Sequence, residues 1–294
     1  MPKMSYTIHV LWLMEVYNVI IGMRGHDFGR MLPADLAVAI RNSGFAATQL
    51  AFTKAFPQPA ACYMTPEALA GLRETFETQG IAIPVLGCYV SASDRDDTIR
   101  NAAKVKFAES LRASVLLGAG CVGTETTNFT FDESEREAAY ARLLDFTRAV
   151  CAEAEACGAT VGIEPVHHHT LNSPELTRRL IDDVGSDSLR VILDLANLIS
   201  PEYVAPEKQM QVLERCIDCF GDRVVALHLK DGTYNAEGKW ENCPLGEGVM
   251  DWANLLPRMR ECFDDLCLTR EGVWPGLAEQ ECRLMHAWAE GTAE

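Results

Sequence analysis

A chain of 294 residues is longer than one ordinary domain needs and is about right for a single large domain with extensions. Its composition, 48% hydrophobic and 23% charged, excludes disordered, collagen-like and coiled-coil chains. Forty-two acids against 26 bases give a net charge of −16, a field that repels phosphate backbones and anionic membranes, so neither nucleic acid nor a membrane is an expected partner.

The apolar stretch at residues 8–21 is interrupted by His9, Glu15 and Asn18 and has no small-residue cleavage site, so neither a signal peptide nor a membrane span is expected. Residues 1–18 do not fit the pattern that follows. They form an N-terminal extension, or the first strand lies at Ile8–Leu13 instead, and both readings stay open. From residue 19 onward, short β-prone runs alternate with longer amphipathic stretches. The runs are Val19–Met23, Phe45–Leu50, Ile81–Gly87, Cys121–Glu125, Thr160–Glu164, Leu189–Asp194, Val224–Leu229 and Leu266–Arg270. The stretches after them, each with apolar residues at helical spacing, are Pro33–Ser43, Pro66–Gln79, Asp97–Leu117, Glu133–Cys157, Pro174–Val184, Pro206–Phe220, Asp251–Phe263 and Leu277–Glu290.

Start and stop signals agree with this division. Thr65-Pro66-Glu67 and Ser173-Pro174-Glu175 read as a capping residue, a first-turn proline and a first-turn acid. Gly44, Gly80, Gly158 and Gly221 follow helical stretches, where a left-handed cap suits glycine. Eight strand-plus-helix units imply parallel strands joined by right-handed crossovers. The expected fold is therefore α/β, a (β/α)8 TIM barrel spanning residues 19–294, a size that matches the ~250 residues such barrels need. The eleven cysteines are an odd number, and Cys88, Cys151, Cys216 and Cys267 fall in apolar or helical stretches. Reduced thiols in a cytoplasmic protein are expected, rather than a disulfide framework.

Catalytic residues of such barrels stand at the C-terminal ends of the strands, where the loops converge. Strand one is followed by Arg24-Gly25-His26-Asp27, strand two holds Gln49, and strand four closes on Glu125. Strands five to eight end in Glu164, Asp194, His228 (with Lys230-Asp231 behind it) and Glu271. Three carboxylates and an imidazole converging on one rim cannot all stay ionised without a counter-cation, and a divalent metal is the simplest one. Oxygen-rich ligation with one histidine suits Mn2+, Mg2+ or Co2+, with Zn2+ a further option. For each residue alone, the competing explanation is a salt bridge to a rim arginine or a hydrogen-bonded core histidine. In the run His167-His168-His169, adjacent residues cannot all face one ion, so one of them, His169 or His167, is expected to point into the pocket. Gly246-Glu247-Gly248 reads as a turn before the seventh helix, not a phosphate cradle.

Several segments resemble the sugar phosphate isomerase/epimerase family, the xylose isomerase-like barrels that include ketose 3-epimerases and inosose dehydratases. They are Ile21-Gly-Met-Arg-Gly-His-Asp-Phe28, Ile163-Glu164-Pro165-Val166 with His169-Thr170 and Ser173-Pro174-Glu175, Val191-Ile-Leu-Asp194-Leu-Ala-Asn197-Leu, Ala226-Leu-His228-Leu-Lys230-Asp231, and Pro244-Leu-Gly-Glu-Gly-Val-Met-Asp251. The resemblance implies a single metal held by Glu164, Asp194, His228 and Glu271, with Glu164 and Glu271 also flanking the substrate carbon. Asn197 stands where some epimerases carry a substrate-binding histidine, a departure from ketose 3-epimerase specificity. Glu125 matches a segment near the substrate in relatives.

The expected activity is a metal-dependent sugar or sugar phosphate isomerase or epimerase. One glutamate takes the proton α to the carbonyl, the metal stabilises the enediolate, and the other glutamate returns a proton. Glu164 and Glu271 are the expected catalytic pair, and Lys230, His169, Asn197, Glu125 and His26 are the expected substrate-binding residues. Lys230 binds either an oxyanion or substrate phosphate, or it pairs with Asp231 or a rim carboxylate. The alternative activity is an inosose-type dehydratase (lyase) working from the same metal site. The expected partner is a small-molecule sugar, and a homo-oligomer is left open.

Overall fold

The computed structural model describes residues 19–130, 132–263 and 267–292. The N-terminal extension or alternative first strand in residues 1–18 lies outside these, as does Leu266. Eight strands, β1 (Ile21–Arg24), β2 (Ala47–Leu50), β3 (Ala82–Gly87), β4 (Cys121–Glu125), β5 (Val161–Glu164), β6 (Leu189–Asp194), β7 (Val224–Leu229) and β8 (Leu268–Arg270), pair in parallel and close in the order β1-β8-β7-β6-β5-β4-β3-β2. Around them lie α1 (Pro33–Asn42), α2 (Pro66–Thr78), α3 (Asp97–Leu117), α4 (Arg136–Cys157), α5 (Pro174–Val184), α6 (Pro206–Phe220), α7 (Trp252–Phe263) and α8 (Ala278–Ala289). The TIM barrel expected from the alternating pattern is the fold observed.

Local chemistry sets the helix ends. The Thr65 hydroxyl accepts from Ala68 N at 3.2 Å, and the Ser173 hydroxyl accepts from Leu176 N at 3.2 Å. Each supplies an acceptor to a first-turn amide that has no helical partner. Gly158 and Gly185 close α4 and α5 in the left-handed region, with φ of 73° and 67°. Gly221 does otherwise. Its φ is −56°, because the chain leaves α6 through a right-handed 3-10 turn, Gly221–Arg223, and needs no left-handed residue there.

Alternation along the strands sorts side chains between two cores. Val161, Ile163, Val191, Leu193, Leu227 and Leu268 belong to the large cluster under the helices, where Phe107 of α3 meets Phe146 of α4 edge to face with centroids 5.7 Å apart. Residues of the opposite parity, Val85, Cys121, Ile192 and Ala226, fill the barrel interior. Gly123 is part of that packing, since a Cβ there would lie 2.7 Å from both Ile192 Cδ1 and Val85 Cγ1. Continuing the interior parity two residues along each strand reaches Arg24, Gln49, Glu125, Glu164, Asp194 and His228, and one step past β8 it reaches Glu271. The fold thus gathers one polar side chain after another onto a single rim.

Between β7 and α7 the chain inserts an antiparallel hairpin, Gly232–Tyr234 with Trp240–Asn242, which the sequence pattern does not announce. Asp231 fastens the far end of this insertion. Its carboxylate accepts from the amides of Gly232 (2.9 Å), Gly246 (2.9 Å), Gly248 (3.2 Å) and Met250 (3.2 Å). The Gly246-Glu247-Gly248 turn is therefore an anion nest filled by the chain's own carboxylate. All eleven cysteines are free thiols; Cys216 and Cys219 make a CxxC spacing on α6, with Cys216 buried.

Candidate active site at the barrel mouth

Of the four side chains expected to hold a metal, three come together in one group, and Glu271 stands outside it, beside His228. Glu164, Asp194 and His228 are buried and each offers a donor atom within 4.8 Å of the others. Register contributes directly, because Asp194 lies level with His228 on the neighbouring strand and Glu125 lies level with Glu164. His228 Nδ1 is 3.4 Å from Glu164 Oε2 and 3.3 Å from Glu271 Oε1. Neither ring nitrogen of His228 has a hydrogen-bond partner with good geometry. A fully buried imidazole with two such nitrogens among carboxylates is costly unless something binds it.

The remaining charges balance the cluster. Lys230 Nζ is 3.0 Å from Asp194 Oδ2 and also donates to Asn197 Oδ1, so its partner is the rim carboxylate and not Asp231. Asn197 Nδ2 in turn donates to Glu164 Oε1 at 2.5 Å. Arg24 Nη1 lies 3.5 Å from Glu271 Oε2, and its Nε and Nη2 donate to Asp27 Oδ1 at 3.0 and 2.8 Å. Asp27 also accepts from the amides of Gly272 and Val273 at 2.8 and 3.0 Å, which ties the β1 loop to the segment carrying Glu271.

Electrostatics follow from this crowding. Burial opposes an imidazolium at His228, but the adjacent Glu271 and Glu164 outweigh it and raise the pKa to about 9. Burial likewise pushes Glu271 upward, yet His228, Arg24 and Lys230 hold it below the usual carboxylate range. Asp194 is raised by burial, against the pull of Lys230. Glu125 is raised by burial and by Glu164 and Glu271.

Of the other expected residues, His169 is buried with Nδ1 unpartnered, and burial followed by His168 and His167 lowers its pKa to about 4. His167 instead engages the Asn197 carbonyl through Nδ1 at 3.0 Å, and His168 is exposed. His26 faces Arg24, Lys54 and Glu271; burial, followed by the two cations, lowers it to about 4 against the pull of Glu271. Sequence reasoning missed Lys54 and Tyr89 altogether and gave no role to Arg24. A cavity of about 470 Å3 at the opposite end of the barrel, lined by Ile20, Arg41, Ser43, Cys282 and His286, holds none of these residues.

Comparison with known proteins places this geometry. The profile of the family described as xylose isomerase-like TIM barrel matches residues 37–287. The chain belongs to that family. Among solved xylose isomerase-like barrels and their neighbours, it is similar to the apo 3-keto-D-glucoside 4-epimerase YcjR from E. coli, with 14% identity over 92% of this chain and 99% of that one, and a TM-score of 0.72. It is also similar to the IolI protein with a bound zinc atom (16% identity, 94% and 100% coverage, TM-score 0.75). A further neighbour is a xylose isomerase-like TIM barrel protein from Mycobacterium smegmatis in complex with magnesium (16% identity, 94% and 98% coverage, TM-score 0.67). No curated protein matches the chain in sequence. Among the described residues of this family member, no helix is long and apolar enough to cross a membrane.

Proposed function

We propose that the protein is a metal-dependent isomerase or epimerase of sugars, with Glu164, Asp194, His228 and Glu271 holding one divalent cation. The observation that carries this reading is His228, fully buried, with neither ring nitrogen in a hydrogen bond, its Nδ1 close to two carboxylates and the residue level with a third. The residues fit such an ion. Three oxygen donors and one imidazole suit Mn2+, Mg2+, Co2+ or Zn2+, and the zinc and magnesium bound by similar barrels support that range without choosing within it. When bound, the cation would act as a Lewis acid on a sugar carbonyl and its neighbouring hydroxyl.

The chain's own residues supply the proton chemistry. Glu164, fixed through Oε1 by Asn197, is placed to take the proton α to the carbonyl. Glu271 stands beside His228 as the second carboxylate, ionised under the pull of His228 and Arg24, and hands to the carbon a proton that it first takes up from solvent. Lys230 reaches the same rim and stabilises negative charge on a substrate oxygen. Asn197, His169, Glu125 and His26 surround the sugar. The epimerases among the similar structures, including D-psicose 3-epimerase with D-fructose, support a carbohydrate substrate.

One observation favours the lyase alternative. Burial and its acidic neighbours raise Glu125 to about 7, so that near neutral pH it can carry a proton beside Glu164, as expelling a β-hydroxyl requires. NMR of ketoses, inososes and their phosphates in D2O, with each metal added, separates the two. Solvent deuterium appears next to the carbonyl in an isomerase or epimerase reaction, whereas water is lost in a dehydration. Absence of any exchange or loss across the panel removes both readings.

A further inference from the structure

On the β1–β3 side of the mouth stands a group of side chains that neither ligate the proposed cation nor take or return the substrate proton. Arg24 ends β1. Gln49, level with it on β2, is buried, and its Nε2 donates to the Tyr89 hydroxyl at 2.9 Å while its Oε1 has no partner. Lys54, on the single helical turn Phe52–Ala55 that follows β2, lies over the Tyr89 ring with Nζ 3.7 Å from the centroid. His26 completes the group, with Nδ1 buried and unpartnered.

Two features set this corner apart. Among the described residues Lys54 has no ion-pair partner; burial and then Arg24 oppose its charge, while Glu125, Glu271 and Asp27 favour it from beyond ion-pair distance. By contrast, Lys230 pairs with Asp194, and Arg24 pairs with Asp27 and Glu271. In a protein of net charge −16, whose general field disfavours anions, a lysine with no carboxylate partner on the lip of a polar cleft is a local exception. The unsatisfied Gln49 acceptor and the Tyr89 hydroxyl hydrogen add groups that match sugar hydroxyls.

We infer that Arg24, His26, Gln49, Lys54 and Tyr89 form a subsite for an anionic group on the sugar, a phosphate ester or a carboxylate. The inference rests on the proposal that the mouth acts on a sugar, and it narrows the substrate to an acidic one. Lys54 supplies the unpaired charge, held in place by the ring beneath it, and Arg24 borders the subsite while paired to Asp27 and Glu271. Gln49 and Tyr89 take sugar hydroxyls. Neutral His26, which burial together with the two cations keeps from protonating, adds a ring nitrogen without charge.

Isothermal titration of the metal-free, full-length protein with inorganic phosphate and, separately, acetate, against KCl at matched ionic strength, reads this subsite without turnover. Saturable binding of at least one anion is expected, weakened about tenfold by Lys54→Met, at an exposed position where folding survives, and unchanged by Lys208→Met on the outer helix α6. Preference for phosphate assigns a sugar phosphate, and preference for acetate assigns a sugar acid. Saturable binding of neither anion, or binding that Lys54→Met leaves intact, overturns the subsite. If neutral ketoses exchange deuterium while no anion binds, the enzyme reading stands and the subsite falls. If anions bind at Lys54 but no sugar exchanges, the subsite stands and the enzyme reading falls.

Discussion

Asn197 Nδ2 donates to Glu164 Oε1 at 2.5 Å, so the short turn after β6 orients the carboxylate at the end of β5. The same asparagine accepts from Lys230 through Oδ1, joining three strand ends in one chain of hydrogen bonds. Partners that fix a ligand or base in this way usually matter nearly as much as the groups they hold.

Asn197→Ala removes that support without touching a proposed ligand. We expect turnover and metal affinity to fall by about 10–100-fold while the protein stays folded. Metal titration and the deuterium-exchange rate check this; wild-type values for both would show that Glu164 needs no help from Asn197.

Glu164→Gln keeps the shape of the side chain and removes the base. Loss of at least ~100-fold in exchange rate is expected, with circular dichroism unchanged. Retained exchange would assign the proton transfer to another residue.

Arg270 and Glu281 form a buried pair outside the catalytic rim. Arg270 Nε and Nη2 lie 3.1 Å from the two Glu281 oxygens, and the guanidinium also donates to the carbonyls of Glu271 and Cys243. Arg270→Met strands a buried carboxylate and should cost about 3–5 kcal/mol in urea unfolding, whereas the double change with Glu281→Leu should recover much of that loss. Equal destabilisation by the single and double variants would contradict this account.

The buried thiols set a limit at alkaline pH. Burial pushes Cys121, Cys151, Cys267 and Cys282 up to about 12. Between the thiol's ordinary 9.0 and that value the unfolded chain loses protons that the folded chain keeps, so stability is intact below pH 9 and declines above it. Cys267→Ala should make unfolding free energy fall less steeply between pH 9 and 11 than in the wild type, whatever its effect at neutral pH. Parallel pH profiles would show that this thiol does not contribute.

Much of this was legible in the sequence, for physical reasons that also explain the gaps. Strand ends carrying Glu164, Asp194 and His228 stand out because acids and imidazoles are costly at the close of apolar runs. Capping at Thr65 and Ser173 is local chemistry and reads directly. Lys54 sits on one helical turn among small and aromatic residues, and only the folded position of Tyr89, far along the chain, distinguishes it from any solvated lysine. Arg270 has outward parity, and its partner comes from the helix after the strand, so the pair exists only in three dimensions. The hairpin after β7 has strands of three residues, too short for a periodic signal. Gly221 looked like a left-handed cap because glycine permits that conformation, but permission does not require it.

The central claim is that four side chains from β5 to β8 hold one divalent cation. An anomalous difference map from crystals grown with Mn2+ tests it most directly. The account predicts one strong peak bounded by Glu164, Asp194, His228 and Glu271, with Lys230 drawn away from Asp194. A map with no peak there, and His228 Nδ1 still close to Glu164 and Glu271, would contradict it.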